Sequence, residues 1–204
     1  IGRDGCAVSD CTVARNVGPG VVLSDNSRVT RCVVRDNGGY GIRGFDGCGV
    51  SGCTVTGNSA GGVLLDNGAA VKDCEVRNNG GAGILTADDS TVLACTVLAN
   101  GAAGISTGSG CVIRDSVAGR NQDGIVGLSD NILAGCTARS NTVDGIRMVH
   151  NANISGCTAD YNGGDGIFAD FYGLVDRCVA ARNGGHGIHA GGMSVRDCSA
   201  DFNT

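Results

Sequence analysis

Residues Cys74 to Ala94 read CEVRNNGGAGILTADDSTVLA, and this stretch recurs almost end to end along the chain. Its fixed points are a Cys, a Val two residues later, an Asn five later, Gly-Ile at nine and ten, and a Val three residues before the next Cys. Repeats begin at Cys11, Cys32, Cys53, Cys74, Cys95, Ser116, Cys136, Cys157 and Cys178, and Cys198 opens a tenth. A self-similar period of 20 or 21 residues without a helical pattern predicts a solenoid.

Apolar residues alternate within each repeat, in the pattern Val-x-x-Cys-x-Val and again at Gly-Ile. Alternation over a few residues between Gly, Asn and Asp is typical of short, half-buried strands. We expect the column that contains Ile84 to point inward, together with the column three residues before each Cys, which contains Val92. Three such strands per turn, stacked in register, predict a three-sided parallel coil that rises roughly 4.8 Å per turn.

Asparagine occupies the fifth position after every repeat start. The ten residues are Asn16, Asn37, Asn58, Asn79, Asn100, Asn121, Asn141, Asn162, Asn183 and Asn203. A column of stacked side-chain amides predicts a hydrogen-bonded ladder inside a turn. The glycine before each Ile predicts either a positive φ or close packing between turns.

The repeat, for instance ISGCTADYNGGDGIFAD from Ile154 to Asp170, resembles that of the pectin-lyase-like proteins. The resemblance covers essentially the whole chain. It implies an all-β fold, a right-handed parallel β-helix of about ten turns of 20–21 residues, in a single domain over residues 1–204. In that family the position held here by Cys is commonly Asn, so this chain resembles a variant with a cysteine ladder. The family includes lyases, hydrolases, epimerases, tailspikes and adhesins, so the fold does not settle the function.

Both ends of the sequence fall within a repeat. Residues Ile1 to Cys6 match the second half of a turn, and Thr204 lies in mid-turn. Because β-solenoids normally cover their exposed strand edges, we expect the sequence to be an excerpt of a longer chain, with β-solenoid contacts to its neighbouring segments. The alternative is end-to-end stacking, as in a filament subunit.

Nine of the twelve cysteines fall in the ladder column, and Cys6, Cys48 and Cys111 share a second column. We expect buried thiols that pack as small hydrophobic groups. Disulfides between neighbouring turns are the alternative, although side chains that point the same way fit the geometry of a disulfide poorly. The sequence predicts no metal site among these cysteines, because there is no CxxC pair and ligands in one column cannot form a tetrahedron. It predicts no cofactor.

The candidate site lies toward the C-terminal end, where all three histidines and four of the seven aromatic residues concentrate. Flat rings stack on pyranose faces, while acids and histidines fix hydroxyl groups, so this pattern predicts a polysaccharide-binding strip. Its candidate residues are Asp144, Arg147, His150, Asp165, Phe168, Asp170, Phe171, Tyr172, His186 and His189.

Within this strip, Asp144, Asp165 and His186 continue a column that begins at Asp123, one residue per turn. Asp-Gly is a common turn pair, so turn chemistry is one explanation of the column. A ligand site is the other, because closely spaced acids either bind a cation or raise one another's pKa.

The expected function is that of a non-catalytic structural or adhesive module of a secreted or cell-surface protein, with polysaccharide as the candidate partner. The alternative is a carbohydrate-active enzyme, namely a polysaccharide lyase, hydrolase or epimerase. Its acid and base would come from Asp144, Asp165, His186 or His189, with Tyr172 as a proton donor.

Resemblance to particular enzyme families is incomplete. Gly-His-Gly at residues 185–187 is similar to a motif of polygalacturonases, but the paired Asp expected about one turn earlier is missing. The Asp-Pro-His motif of mannuronan epimerases is also missing, since Pro19 is the only proline. No repeat exceeds 21 residues, which leaves no long loop to wall a catalytic cleft. These departures favour the non-catalytic interpretation.

Composition argues against two further classes of partner. The net charge is −5 and Lys72 is the only lysine, so the basic stripe expected of a nucleic-acid-binding protein is missing. No apolar run approaches the roughly 18 residues of a membrane-spanning helix.

Overall fold

The computed structural model describes residues 4–204, and in that part of the chain it consists of 29 short strands and no helix. The chain passes in turn through three parallel sheets, here named A, B and C, and each strand pairs with the strands one turn before and after it. Paired residues are separated by one repeat, as in Ile84 with Ile105. The predicted all-β parallel β-helix is confirmed.

The strands are two to five residues long. Those of sheet A are Ala7–Ser9, Arg28–Thr30, Gly49–Ser51, Ala70–Lys72, Thr91–Leu93, Val112–Arg114, Ile132–Ala134, Ala152–Ser155, Gly173–Asp176 and Ser194–Arg196. Those of sheet B are Thr12–Ala14, Val33–Arg35, Thr54–Thr56, Glu75–Arg77, Thr96–Leu98, Val117–Gly119, Thr137–Arg139, Thr158–Asp160, Val179–Ala181 and Ser199–Asp201. Those of sheet C are Val21–Val22, Ile42–Gly44, Val63–Leu65, Ile84–Thr86, Ile105–Thr107, Ile125–Ser129, Ile146–His150, Ile167–Asp170 and Ile188–Gly191.

The turn count differs slightly from the expected ten. Sheets A and B contain ten strands each and sheet C contains nine, which makes nine complete turns and two strands of another. The difference arises because the described chain ends after the tenth strand of sheet B. No helix long and apolar enough to cross a membrane occurs within residues 4–204.

Aliphatic columns from the three sheets fill the interior. On one turn these are Ile84, Val92 and Val97, whose side chains are fully buried. Burial of each such side chain stabilises the fold by about 1.5–3 kcal/mol. The two inward columns that the sequence predicts, containing Ile84 and Val92, are therefore confirmed.

Each corner of a turn contains a residue with left-handed backbone. On the same turn Asp89, Ala94 and Ala99 have φ values of 55°, 51° and 54°. This conformation costs roughly 1–2 kcal/mol for a residue with a Cβ. It bends the chain sharply within very few residues, which allows consecutive strands to lie in different sheets.

The asparagine ladder lies at the corner between sheets B and C. Nδ2 of each asparagine donates to Oδ1 of the next over 2.8–3.4 Å throughout the series. The same Oδ1 also accepts the backbone N–H of the preceding asparagine, as between Asn58 and Asn79 at 3.0 Å. Nδ2 of Asn79 also donates to the carbonyl of Val55 at 3.2 Å. The buried amides are satisfied on every side, as buried polar groups must be.

The cysteine ladder occupies the corner between sheets A and B. Its nine members are free thiols. Each buried thiol donates to the carbonyl two residues before it, as in Cys53 to Ser51 at 3.3 Å. At Ser116 a hydroxyl takes the same place, since its Oγ accepts the N–H of Cys95 at 3.2 Å. The column therefore requires a small group that can both donate and accept, and the thiol meets that requirement.

The glycine column before Ile is explained by close packing between turns, because none of its members has a positive φ. A Cβ on Gly145 would lie 2.6 Å from Nδ2 of Asn162 and 3.1 Å from Cβ of Ala159. Only glycine leaves room here for the asparagine ladder of the next turn.

Candidate functional site

The candidate strip lies along the outer face of sheet C. On this sheet the residue after each inward Ile or Val points outward, and parallel pairing stacks these residues into one row. From the first turn to the last the row contains Val22, Arg43, Leu64, Leu85, Ser106, Val126, Arg147, Phe168 and His189.

The middle of this row forms an apolar groove that sequence reasoning missed. Leu64, Leu85 and Val126 line it together with Leu128 on the rim, and the groove encloses about 450 Å³. The signal was present in the sequence as leucines at outward positions, where a solvated strand would carry polar residues. We refer to this feature as the apolar groove.

Further along the same row, Arg147, Phe168 and His189 stack on consecutive turns. The guanidinium carbon of Arg147 lies 5.8 Å from the ring centroid of Phe168. The rings of Phe168 and His189 lie 4.8 Å apart at an interplanar angle of 59°. The three side chains form a continuous surface of flat groups.

The aspartate column runs beside this row and is held by backbone hydrogen bonds. Oδ1 of each Asp accepts the N–H of the residue one turn later, at 2.8 Å from Asp144 to Asp165 and 2.7 Å from Asp165 to His186. A Cβ at Gly164 or Gly185 would collide with these carboxylates. These hydrogen bonds between turns are consistent with the turn chemistry of the column.

Asp165 has a further role, because two imidazoles approach its carboxylate. Nδ1 of His186 lies 3.1 Å from Oδ1, and Nδ1 of His189 lies 3.5 Å from Oδ2. The two histidine rings meet edge to face at 5.2 Å. The Asp165 side chain is only 16% exposed, while those of His186 and His189 are 71% and 44% exposed. A shielded carboxylate thus lies beneath two solvent-facing rings.

The charge of Asp144 is disfavoured in this setting. Burial raises the pKa of Asp144, and the negative charges of Asp165 and Asp123 raise it further, against the hydrogen bond from the Asp165 N–H and the positive charge of Arg147. The carboxyl group of Asp144 therefore takes up a proton more readily than an ordinary aspartate.

A second group of candidate residues lies toward the corner between sheets C and A. The rings of His150 and Phe171 are 5.2 Å apart, and Oδ1 of Asp170 accepts the N–H of Phe171 at 3.0 Å. Tyr172 extends beyond them into solvent. Phe171 is 52% exposed and Tyr172 is 74% exposed.

The backbone beneath these two aromatics is unusual. Phe171 and Tyr172 have φ values of 50° and 64°, and they are the only consecutive pair of non-glycine residues with positive φ within residues 4–204. At the position of Tyr172 the other described turns carry Asn, Asp or Gly, as at Asn151 with a φ of 49°. Single aromatic residues adopt left-handed backbone elsewhere in the described chain, at Tyr161 and Phe202, so the distinctive feature is the consecutive pair. Left-handed backbone is unfavourable for bulky residues and is often found at functional sites. Two neighbouring rings at this corner thus stand on consecutive left-handed residues.

The structure places the ten candidate residues in two neighbouring groups. Asp144, Arg147, Asp165, Phe168, His186 and His189 form one continuous set of contacts, and His150, Asp170, Phe171 and Tyr172 lie at the adjoining corner. No connection between strands within residues 4–204 is longer than the six residues between Ala181 and Ile188. The site is therefore an outer face bordered by short turns.

The comparisons with known proteins agree with this architecture. Residues 2–71 and 61–204 match the family described as right handed beta helix region. The chain belongs to the right-handed β-helix family. The right-handed parallel β-helix that the resemblance implied is thus confirmed.

Several solved structures share the β-helix. The A-module of mannuronan C-5 epimerase AlgE4 from Azotobacter vinelandii superimposes with a TM-score of 0.75 at 12% identity, over 99% of this chain and 82% of that one. The AlgE6 A-module from the same organism gives 0.71 at 13% identity, over 97% and 64%. Pectate lyase Pel9A gives 0.65 at 14% identity, over 94% and 70%. At these identities the likeness shows the fold alone, and comparison with curated protein sequences gave no match.

Proposed function

We propose that this chain is a non-catalytic, polysaccharide-binding β-helix, a structural or adhesive part of a secreted or cell-surface protein. The observation that carries the proposal is the closeness of three aromatic residues on one turn, with Phe168 on the outer face of sheet C and Phe171 and Tyr172 at its adjoining corner. Arg147 and His189 extend this surface on either side of Phe168.

Aromatic rings bind sugars because the apolar face of a pyranose packs on a flat ring while its hydroxyls reach polar groups at the ring edges. Here the rings adjoin imidazole, carboxylate and guanidinium groups that donate and accept hydrogen bonds. The strained corner at Phe171 and Tyr172 adds support, since an ordinary turn residue would be more stable there.

The charges of the strip favour one class of polysaccharide. Three carboxylates, Asp144, Asp165 and Asp170, accompany a single permanent cation, Arg147. The whole chain has a net charge of −5. Because like charges repel, we expect neutral polysaccharides to bind more tightly than polyuronates.

Two structures with a similar fold are named as a mannuronan C-5 epimerase module and a pectate lyase, which supports a polysaccharide as the ligand class. An extracellular or cell-surface location is part of the same proposal. The weight of the proposal nevertheless rests on the ring arrangement.

The test is a binding screen on a glycan array and a uronan panel, with wild type and the double variant Phe168→Ala/Phe171→Ala. Loss of two aromatic contacts should weaken binding at least about tenfold. The matched control is Leu64→Ala/Leu85→Ala, which removes two outward residues of the same row in the apolar groove and should leave binding unchanged. Equal binding by wild type and the aromatic double variant would refute the strip.

A second candidate function is catalysis on a polysaccharide, favoured by the contact between Asp165 and His186 at 3.1 Å. A carboxylate that orients a histidine is a common acid-base arrangement. Each polysaccharide that binds should therefore be incubated with the protein and examined for chain cleavage, unsaturated products and epimerised residues. The non-catalytic proposal expects no product, and product lost in His186→Ala would establish the enzyme instead.

A further inference from the structure

Asp165, His186 and His189 have the composition and spacing of a metal-binding triad. One ligand atom from each lies within 4.8 Å of the other two. Oδ1 of Asp165 lies 3.1 Å from Nδ1 of His186, and Oδ2 lies 3.5 Å from Nδ1 of His189. Two ligands about 2.0–2.1 Å from a tetrahedral zinc ion are roughly 3.3 Å apart, so both carboxylate–imidazole pairs already have nearly the required separation.

We infer that these three residues bind a divalent transition-metal ion, with Zn²⁺ as the reference case. Two imidazoles and one carboxylate are the ligands that zinc, cobalt, nickel and copper prefer, whereas calcium and magnesium require sites built mainly from oxygen. The remaining coordination position faces solvent, because His186 and His189 are both exposed. The inference stands on these residues alone and does not depend on polysaccharide binding.

The carboxylate at the centre of the triad is fixed before any ion binds. Oδ1 of Asp165 accepts the backbone N–H of His186. The backbone N–H of Asp165 donates to Oδ1 of Asp144. The ring of His189 packs between those of Phe168 and His186. His186 is the most exposed of the three and can turn to bring its nitrogen closer. Such supporting contacts are what orient metal ligands in proteins.

The triad arises from a local change in the repeat. Asp165-Gly-Ile-Phe168 on one turn becomes His186-Gly-Ile-His189 on the next. His189 follows the inward Ile188 and therefore points outward, stacked over Phe168. His186 lies one repeat after Asp165 and stacks on it in the preceding turn of the chain. On the preceding turn Phe168 occupies the position of His189, and a phenyl ring offers no ligand. The remaining histidine, His150, instead packs on Phe171.

The experiment titrates the chelator-treated full chain with CoCl₂, followed by visible absorption, and with ZnCl₂, followed by calorimetry. One ion should bind per chain. His186→Ala and His189→Phe should each weaken binding at least about tenfold. His189→Phe restores the residue found one turn earlier, so the fold has a precedent for it. His150→Ala is the matched control and should bind as wild type does.

Four results would overturn the inference. The first is wild type that binds neither Co²⁺ nor Zn²⁺ at micromolar concentrations. The second is affinity unchanged in both triad variants. The third is a cobalt–thiolate absorption band, which would assign the ion to an exposed cysteine such as Cys11. Displacement of Co²⁺ by an equal concentration of CaCl₂ would also contradict a site built on imidazoles.

Discussion

The outer row of sheet C changes character along its length while the layer beneath it does not. Its middle turns present Leu64 and Leu85 in the apolar groove, and its last three turns present Arg147, Phe168 and His189. Under both regions lie the same inward Ile or Val, the same glycine and the same asparagine amide. The interior must repeat because each turn is packed against copies of itself. The outer row is free of that requirement, so its residues can differ from turn to turn and can be suited to binding a ligand.

The largest expected effect is a loss of stability when a ladder asparagine is replaced. Comparing this loss between the two regions tests whether their interiors are equivalent. Nδ2 of Asn100 and of Asn162 each donates to a carbonyl and to the next amide, and each Oδ1 accepts two hydrogen bonds. Either Asn→Ala change leaves several buried groups unpaired and should lower the free energy of unfolding in urea by about 3 kcal/mol.

The two losses should agree within about 0.5 kcal/mol, although Asn100 lies under the middle turns and Asn162 under the strip. Asn153→Ala, at an exposed position on sheet A, is the control and should change stability by less than about 0.5 kcal/mol. A clearly smaller loss at one ladder position would show that the interiors are not equivalent.

An intermediate effect concerns the corner between sheets C and A, where the two regions differ. Gly68 and Tyr172 occupy equivalent positions with φ values of 63° and 64°. Gly68→Tyr adds a side chain into open space, so it should cost only the left-handed strain, roughly 1–2 kcal/mol. Tyr172→Gly should raise stability by about 1 kcal/mol and, under the proposed function, weaken glycan binding.

Urea unfolding and the glycan screen measure these two outcomes together. Tyr172→Asn serves as the control, because asparagine accepts this conformation without removing a side chain. If Tyr172→Gly destabilised the protein, the ring would be packing for the fold and the case for a strained binding residue would be lost.

The smallest effect concerns Asp144, which has no charged counterpart in the apolar groove. Its raised pKa means that the folded protein binds the Asp144 proton more tightly than the unfolded chain. The resulting stabilisation is present at low pH and is lost as the pH rises through the folded pKa. Asp144→Asn keeps an oxygen for the Asp165 N–H but carries no charge.

We therefore expect the Asp144→Asn variant to melt at a higher temperature than wild type at pH 7. The difference should shrink toward zero as the pH falls below the ordinary aspartate pKa of about 4. Thermal melts in metal-free buffer across this range provide the measurement. A variant that is less stable at pH 7, or a difference independent of pH, would contradict the assignment.

Sequence reasoning predicted the interior more completely than the surface. Columns such as that of Ile84 could be read directly, because one buried environment selects the same residue in every turn. The chemistry of the ladders followed from Asn79 and Cys53 in the same way. The expected ten turns exceed the nine complete turns in the structure. The repeat that begins at Cys198 contains a strand of sheet B but no strand of sheet C within the described chain.

The outer face was harder to predict because its residues are not repeated. The strip was located through its histidines and rings, but the approach of both His186 and His189 to Asp165 depends on side-chain directions across two turns. The left-handed backbone of Phe171 was not predictable either, since no aromatic pair occurs at this corner elsewhere in the sequence. The leucines of the apolar groove were passed over because no chemistry marks them.

The constant spacing between paired residues has a consequence for how this chain folds. Every strand contact joins residues about one turn apart, so closing one turn never requires bringing together distant parts of the sequence. Folding can start at any turn and spread in both directions, one loop closure at a time. Opening can proceed in the same stepwise manner, one turn at a time. The affinity of the strip would then depend on the fraction of time for which the turns from Ile146 to Gly191 remain closed.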